Sequence, residues 1–304
     1  MDEAILVSKE LVRNNFPKRN PDSNKGTFGR SVVIGGSAKF VGAPQFANSS
    51  SIAILSALGK ASMRVGAGTS TICVPAFLAE KLYSFTLYSS ICSLKTDGTN
   101  ILYDGKQIDE LISSSSAYAI GMGMDNGDAK SIVERILNKG SQNIVIDADG
   151  LNTTKDIKDY MRRCILTPHI KEFSRLTGLS VEDIKKDPVS CAKEYAKQKN
   201  CIVLLKGTPN TYITDGSKVY LNTTGNVSLA KGGSGDVLSG IIVGLLAWGM
   251  EPIKAAYTGA YILGRCAEIS NVNEYSSFPE DIIAQIPNVL DEVMAWDLSM
   301  LFLI

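Results

Sequence analysis

The sequence predicts an α/β fold: a mostly parallel sheet with helices on both faces and a small antiparallel edge. Three observations predict it. Short β-branched runs alternate with longer helical patterns, and those runs are apolar throughout rather than at every second position, as strands covered on both sides are. One Asp-Gly pair lies between two β-type runs, the mark of a hairpin. A chain of 304 residues, 44% of them hydrophobic, can bury a full core of this kind, and residues 1–304 are expected to form a single domain.

Residues 1–25, with NNFPKRNPDSNKG, are expected to be a loosely ordered arm. Strands are then predicted at SVVIGGS (31–37), TSTICVP (69–75), AYAIGMG (117–123), NIVIDADG (143–150), CILTPH (164–169) and CIVLLKG (201–207). Helical spacing fills 44–63, 128–138, 171–177 and 188–199 between them. TYITDGSKVYLN (211–222) supplies the hairpin, which places an antiparallel edge on the parallel sheet. From residue 236 the pattern is helical almost to the end, through VLSGIIVGLLAWG, PIKAAYTGAYILGRCAEIS and a last helix near 279–293.

Charge and composition remove several function classes. Lys plus Arg and Asp plus Glu both number 31, so no overall field favours nucleic acid or an anionic membrane. The longest apolar stretch, IIVGLLAW, falls well short of the roughly 20 residues of a membrane span. The start MDEAILVSKE lacks the basic and apolar regions of a secretory signal, so a cytoplasmic protein is expected. Six scattered cysteines without a CxxC pair, beside a single histidine, read as free thiols.

Open α/β sheets bind ligands outside the carboxyl ends of their strands. Those ends carry Gly35, Gly36 and Ser37, then Gly121 and Gly123, Asp147 and Asp149, Thr167 and His169, and Lys206. Neither a GxxxxGK[ST] loop nor a GxGxxG fingerprint occurs. Instead LAKGGSGDVLSG (229–240) sets glycines before an apolar helix, which aims backbone N–H groups and the positive end of a helix dipole at one point. That is an anion cradle. Asp236 would repel a phosphate held there, which makes sense if it takes a proton from a hydroxyl attacking the phosphoryl group. On the residues alone a second reading stays open, in which Asp236 is a helix N-cap beside a tight turn.

GGSGD before an apolar helix, with Gly225 and Asn226 just upstream, resembles the signature of the ribokinase-like superfamily. Within it the chain resembles the NAD(P)H-hydrate dehydratase family in eight segments that run in order across about residues 25–290: KGTFGRSVVIGGS, GAPQFA, RVGAGTSTICVP, AIGMGM, VIDADGLN, ILTPHIKEFSRLTG, VLLKGTPNTYI and GNVSLAKGGSGDVLSGIIVGLLAWG. The resemblance implies a three-layer ribokinase-like fold and a repair reaction, in which ADP or ATP is spent, with Mg²⁺, to remove water from hydrated NADH or NADPH. Phosphorylating the ring hydroxyl makes it a good leaving group, and phosphate then departs. Many relatives carry an epimerase domain ahead of this one; a stand-alone dehydratase working with a separate epimerase is expected here, assembled as a homo-oligomer, often a tetramer.

The same resemblance assigns residues. Asp236 is the base and a substrate contact; Ala43, Gly123 and His169 contact the hydrated dinucleotide. Lys206, Gly207, Thr208, Pro209 and Asn210 fall on the nucleotide segment, joined by Asn226, Gly232, Gly233, Ser234 and Gly235. Apart from the resemblance, Asp147 and Asp149 at a strand end, with Glu172 in the same polar shell, are candidates for a Mg²⁺ site, Asp149 and Glu172 being the two preferred. Ordinary alternatives stand beside these: a packed or surface histidine at 169, a solvated lysine at 206, and a turn-capping aspartate at 149. Lys231, where many relatives have a small residue, adds charge to the site or faces solvent, and Pro209, where glycine is frequent, removes an N–H donor. Tyr257, Tyr261, Ile262 and the tail SMLFLI form a subunit contact or belong to the core. A small-molecule kinase of the same superfamily, acting on a vitamin-like alcohol, is the competing function, and a non-catalytic nucleotide sensor ranks below it.

Overall fold

The computed structural model describes residues 4–16, 19–40, 48–83, 88–207 and 209–295. Its first elements are β1 (Ile5–Leu6), α1 (Lys9–Arg13), β2 (Arg30–Ile34), α2 (Asn48–Arg64), β3 (Thr69–Pro75), α3 (Ala76–Leu82), β4 (Ser90–Leu94) and α4 (Gly105–Ser114). There follow β5 (Ala117–Ile120), α5 (Ala129–Lys139), β6 (Asn143–Ile146), α6 (Asp149–Thr154), β7 (Cys164–Leu166), α7 (Ile170–Thr177), α8 (Val181–Lys186) and α9 (Pro188–Lys199). The last are β8 (Ile202–Leu205), β9 (Thr211–Thr214), β10 (Val219–Asn222), α10 (Ser234–Ala247), α11 (Pro252–Ile269) and α12 (Pro279–Met294).

One sheet takes all these strands in the order β1-β10-β9-β8-β7-β6-β5-β2-β3-β4. Every pairing is parallel except those of β9 with β8 and with β10. The hairpin therefore forms as the Asp-Gly pair predicts, but it is not the border of the sheet. β1 lies outside it, with Ile5 opposite Tyr220 and Leu6 opposite Leu221. Within the arm expected to be loosely ordered, residues 5–15 are thus paired and packed. Ser8 caps α1 by accepting from the Leu11 N–H, Val12 is fully buried, and the Asn15 amide donates to the Tyr257 and Thr258 hydroxyls at 3.0 and 2.9 Å.

Side chains along each strand sort by parity into two cores. Val33, Ile72, Ala117, Ala119, Val145, Ile165 and Leu204 face one, under α2, α10, α11 and α12. Val32, Ile34, Tyr118, Ile120, Ile144, Ile146 and Val203 face the other, under α4, α5 and α9. Burial on both faces is why these strands are apolar at every position. Tyr257, Tyr261 and Ile262 are 2%, 5% and 0% exposed, so this stretch of α11 is core, not a subunit surface. SMLFLI lies outside the described residues. The six cysteines are free thiols. Among the described residues no helix is long and apolar enough to cross a membrane.

Strand order reverses beside β2, which lies between β3 and β5. A crevice opens at such a switch point. The strands also stop earlier than their apolar runs suggest, because the glycines after them leave the extended region, with φ of +92° at Gly36 and +123° at Gly121. The segments 35–37, 121–123, 147–148, 167–169 and 206–207 thus leave the strands at one edge of the sheet, and α6 begins at Asp149.

Candidate active site

Three of those ends converge on the start of α10. Asp147, just past β6, is 3% exposed. Its Oδ1 accepts from Lys206 Nζ at 3.1 Å, at the end of β8, and its Oδ2 accepts from Ser239 Oγ at 3.0 Å, on α10. A methyl group built on Gly235 would sit 3.3 Å from Lys206 Nζ and 3.4 Å from Asp147 Oδ2, so the backbone of the glycine loop passes directly over the ion pair. Gly121 makes room for this turn. A Cβ there would lie 2.1 Å from the Asp147 carbonyl oxygen and 2.6 Å from the Gly150 nitrogen. Between the two aspartates Ala148 adopts φ +50°, ψ −126°, a region that costs a non-glycine residue on the order of 1–3 kcal/mol.

The N-cap of α10 is Gly233, left-handed at φ +94° and without a side-chain cap. Asp236 is therefore the third residue inside the helix, which removes the N-cap reading. Burial pushes its carboxyl up to about 7, and the Asp147 charge adds to that, against the Lys206 ammonium. A group so placed is part carboxylate and part acid near neutrality, as a general base needs. Burial works against the Lys206 charge, but Asp147, Glu172 and Asp236 together hold its pKa above the ordinary lysine value.

His169 is the N-cap of α7. Its Nδ1 accepts from the Glu172 N–H at 3.1 Å, and Glu172 Oε2 accepts from the His169 N–H at 2.8 Å. Nδ1 thus carries no proton, the imidazole hydrogen lies on Nε2, and that atom is 3.6 Å from Glu172 Oε1. Burial lowers the imidazole pKa, which keeps the ring neutral. The Lys206 N–H donates to the Pro168 carbonyl at 2.9 Å, which ties the histidine turn to the lysine.

The remaining assigned residues are more scattered. A Cβ on Gly207 would meet the Asn210 carbonyl oxygen at 2.5 Å, and Pro209 is exposed. Gly123 sits left-handed at φ +66° beyond β5. Gly232 borders open space, and Ser234 begins α10. Ala43 and Thr208 lie outside the described residues. Asn226 is committed to structure: its Oδ1 accepts from the Ser228 N–H and hydroxyl, and its Nδ2 donates to the Ala267 carbonyl. Asp149 accepts from the Asp125 N–H at 2.9 Å, while Glu172 faces the histidine turn, so the two metal candidates engage different partners. Among the described residues no three His, Cys, Asp or Glu side chains gather as a metal cage. Lys231 neither enters the cradle nor points freely to solvent; its ammonium donates to the Tyr275 and Ser277 carbonyls at 2.7 and 2.9 Å. Sequence reasoning missed Ser239. The available signal was its position three residues after Asp236, on the same helix face.

A family model described as NAD(P)H-hydrate dehydratase matches residues 31–288. The ADP-dependent (S)-NAD(P)H-hydrate dehydratase of Bacillus subtilis is 32% identical over 266 residues, 86% of this chain and 88% of that protein. Its counterpart from Neisseria meningitidis is also 32% identical, covering 84% of this chain and 81% of the relative. A bifunctional NAD(P)H-hydrate repair enzyme from Moorella thermoacetica is 32% identical over 270 residues, but this chain spans only 49% of its length. Among solved structures, the ADP/ATP-dependent NAD(P)H-hydrate dehydratase of Bacillus subtilis, co-crystallised with ATP and Mg²⁺, superposes with a TM-score of 0.80 at 27% identity, over 96% of this chain and 100% of that one. A ribokinase-like superfamily protein from Enterococcus faecalis, 22% identical, shares the fold with a TM-score of 0.78 over 96% of this chain and 97% of that one.

Proposed function

The chain belongs to the NAD(P)H-hydrate dehydratase family, and from that premise we propose that it removes water from hydrated NADH or NADPH at the expense of ADP or ATP. One observation carries the reading: a half-buried carboxyl, Asp236, with a pKa raised to about 7, in the first turn of a helix whose glycine-lined start lies over the Lys206 ammonium.

In this reading the terminal phosphoryl group of the nucleotide lies against the start of α10, where the backbone N–H groups of Gly232, Gly233, Ser234 and Gly235 and the Lys206 ammonium receive its charge. Gly207, Thr208, Pro209, Asn210 and Asn226 border the nucleotide. The ring hydroxyl of the substrate, placed by Ala43, Gly123 and His169, attacks phosphorus as its bond to the bridging oxygen breaks. Asp236 takes the hydroxyl proton. The carbon–oxygen bond of the phosphorylated ring then breaks with its electron pair leaving on phosphate, a proton leaves the adjacent carbon, and the double bond is restored. Glu172, with Oε1 not committed to the cap, would hold through water a Mg²⁺ that arrives on the phosphates, where the ion neutralises charge. Asp149, whose Oδ2 accepts the Asp125 N–H, would join through its other oxygen.

The chain spans about half the length of the bifunctional relatives. An NAD(P)H-hydrate epimerase is the proposed functional partner. A cytoplasmic homotetramer is the proposed state, checked by light scattering. Purified protein incubated with hydrated NADH and ADP or ATP should restore the absorbance of the reduced nicotinamide. No recovery with either nucleotide on intact substrate overturns the reading, and a stable phosphorylated product identifies a kinase instead.

A further inference from the structure

We propose that Ser239 and Asp147 are positioning residues that hold the Lys206 ammonium against the glycine-lined start of α10, so that it meets the terminal phosphoryl group of the nucleotide. The inference rests on the nucleotide reading above and deepens it.

A lysine at a strand end has four rotatable carbons and ordinarily extends into water. Here three elements distant in sequence prevent that. Lys206 donates to one oxygen of Asp147 across 59 positions, and Ser239 donates to the other across 92. Ser239 is fully buried and Asp147 nearly so, while the lysine side chain keeps 24% of its exposure. Each carboxylate oxygen thus has one directional donor, and the plane of the carboxylate is fixed between α10 and the end of β8. Without the serine, Oδ2 loses its donor in a buried place. The ammonium then slides to bridge both oxygens, away from where a phosphate lies.

The arrangement also explains why residue 235 is glycine. A side chain there would occupy the space 3.3 Å from Lys206 Nζ and 3.4 Å from Asp147 Oδ2. It would separate the ammonium from any anion bound at the helix start. Ser239 follows Asp236 by three residues on one face of α10, so the same bond fixes the rotation of the helix that carries the base.

The test is equilibrium binding of ADP and of adenosine, by calorimetry, to the wild type, Ser239→Ala, Lys206→Met and the double variant. Adenosine lacks the phosphates and reports any general damage to the pocket. Ser239→Ala should weaken ADP binding by about threefold to tenfold and leave adenosine within about twofold. Lys206→Met should weaken ADP by more than about tenfold. In the Lys206→Met background, Ser239→Ala should add less than about twofold, because a residue that acts only through the lysine has nothing left to act upon. The relay is overturned if Ser239→Ala leaves ADP binding unchanged, weakens adenosine as much as ADP, or weakens ADP equally in both backgrounds. Wild-type protein that binds neither ADP nor ATP overturns the nucleotide reading itself, a result distinct from these three.

Discussion

Replacing Asp236 by asparagine should abolish turnover and stabilise the protein, and the stabilisation should depend on pH. The Asp236 carboxyl has an ordinary pKa of 3.8 when unfolded, and burial, with Asp147 beside it, raises that to about 7 in the fold. Between these values the folded chain keeps a proton that the unfolded chain has lost. Folding stability therefore falls as pH rises through that window, and the full cost is present above about 7. Three units correspond to on the order of 4 kcal/mol. Asparagine has nearly the same shape and carries no charge at any pH. The variant should exceed the wild type by about 1 kcal/mol near pH 4.5 and by about 4 kcal/mol near pH 8.5. For a chain of this length 1 kcal/mol moves the melting temperature by roughly 1.5 °C, so the gap should open to about 6 °C at the alkaline end. Paired thermal melts of the ligand-free proteins at the two pH values measure it, and the difference between the two gaps cancels every titrating group that does not interact with Asp236. A gap that does not change with pH, or a wild type that is the more stable at pH 8.5, would refute the reasoning.

Three further outcomes are expected. In initial-rate measurements kcat/KM should rise with pH through about 7 and level off above it, since only ionised Asp236 accepts a proton; a flat profile across that range removes Asp236 from proton transfer. Gly121→Ala drives a methyl to 2.1 Å from the Asp147 carbonyl, and should cost more than about 3 kcal/mol, read as a lower urea midpoint; an unchanged midpoint would mean that the turn is looser than described. Ala148→Gly relieves a strained φ of +50° and should raise stability by about 1 kcal/mol in the same titration, while a loss would show that the turn carries no strain.

The parts of the fold that local chemistry dictates were legible in the sequence. Strands buried on both faces are apolar at every position, so β2, β3, β5, β6, β7 and β8 stand out, as do α9, with Pro188 in its first turn, and α10, apolar from Ile241 to its end. β4 does not, because SICSL is an edge strand with its serines exposed or partly so, and β1 is two residues long, too short for any period. Both are strands only because a neighbour pairs with them. At the site, the glycines and Asp236 announced themselves by spacing. The pairing of Asp147 with Lys206 and Ser239 did not, since nothing local links residues 59 and 92 positions apart. Lys231 shows the same limit: the carbonyls that take its ammonium lie more than 40 residues later.

The most direct measurement is the turnover of Asp236→Asn on hydrated NADH with ADP and Mg²⁺, alongside its affinity for ADP. If Asp236 is the base toward the ring hydroxyl, kcat should fall by about a thousandfold or more while ADP binds within a few-fold of wild type. A variant that turns over within about tenfold of the wild type would contradict that role.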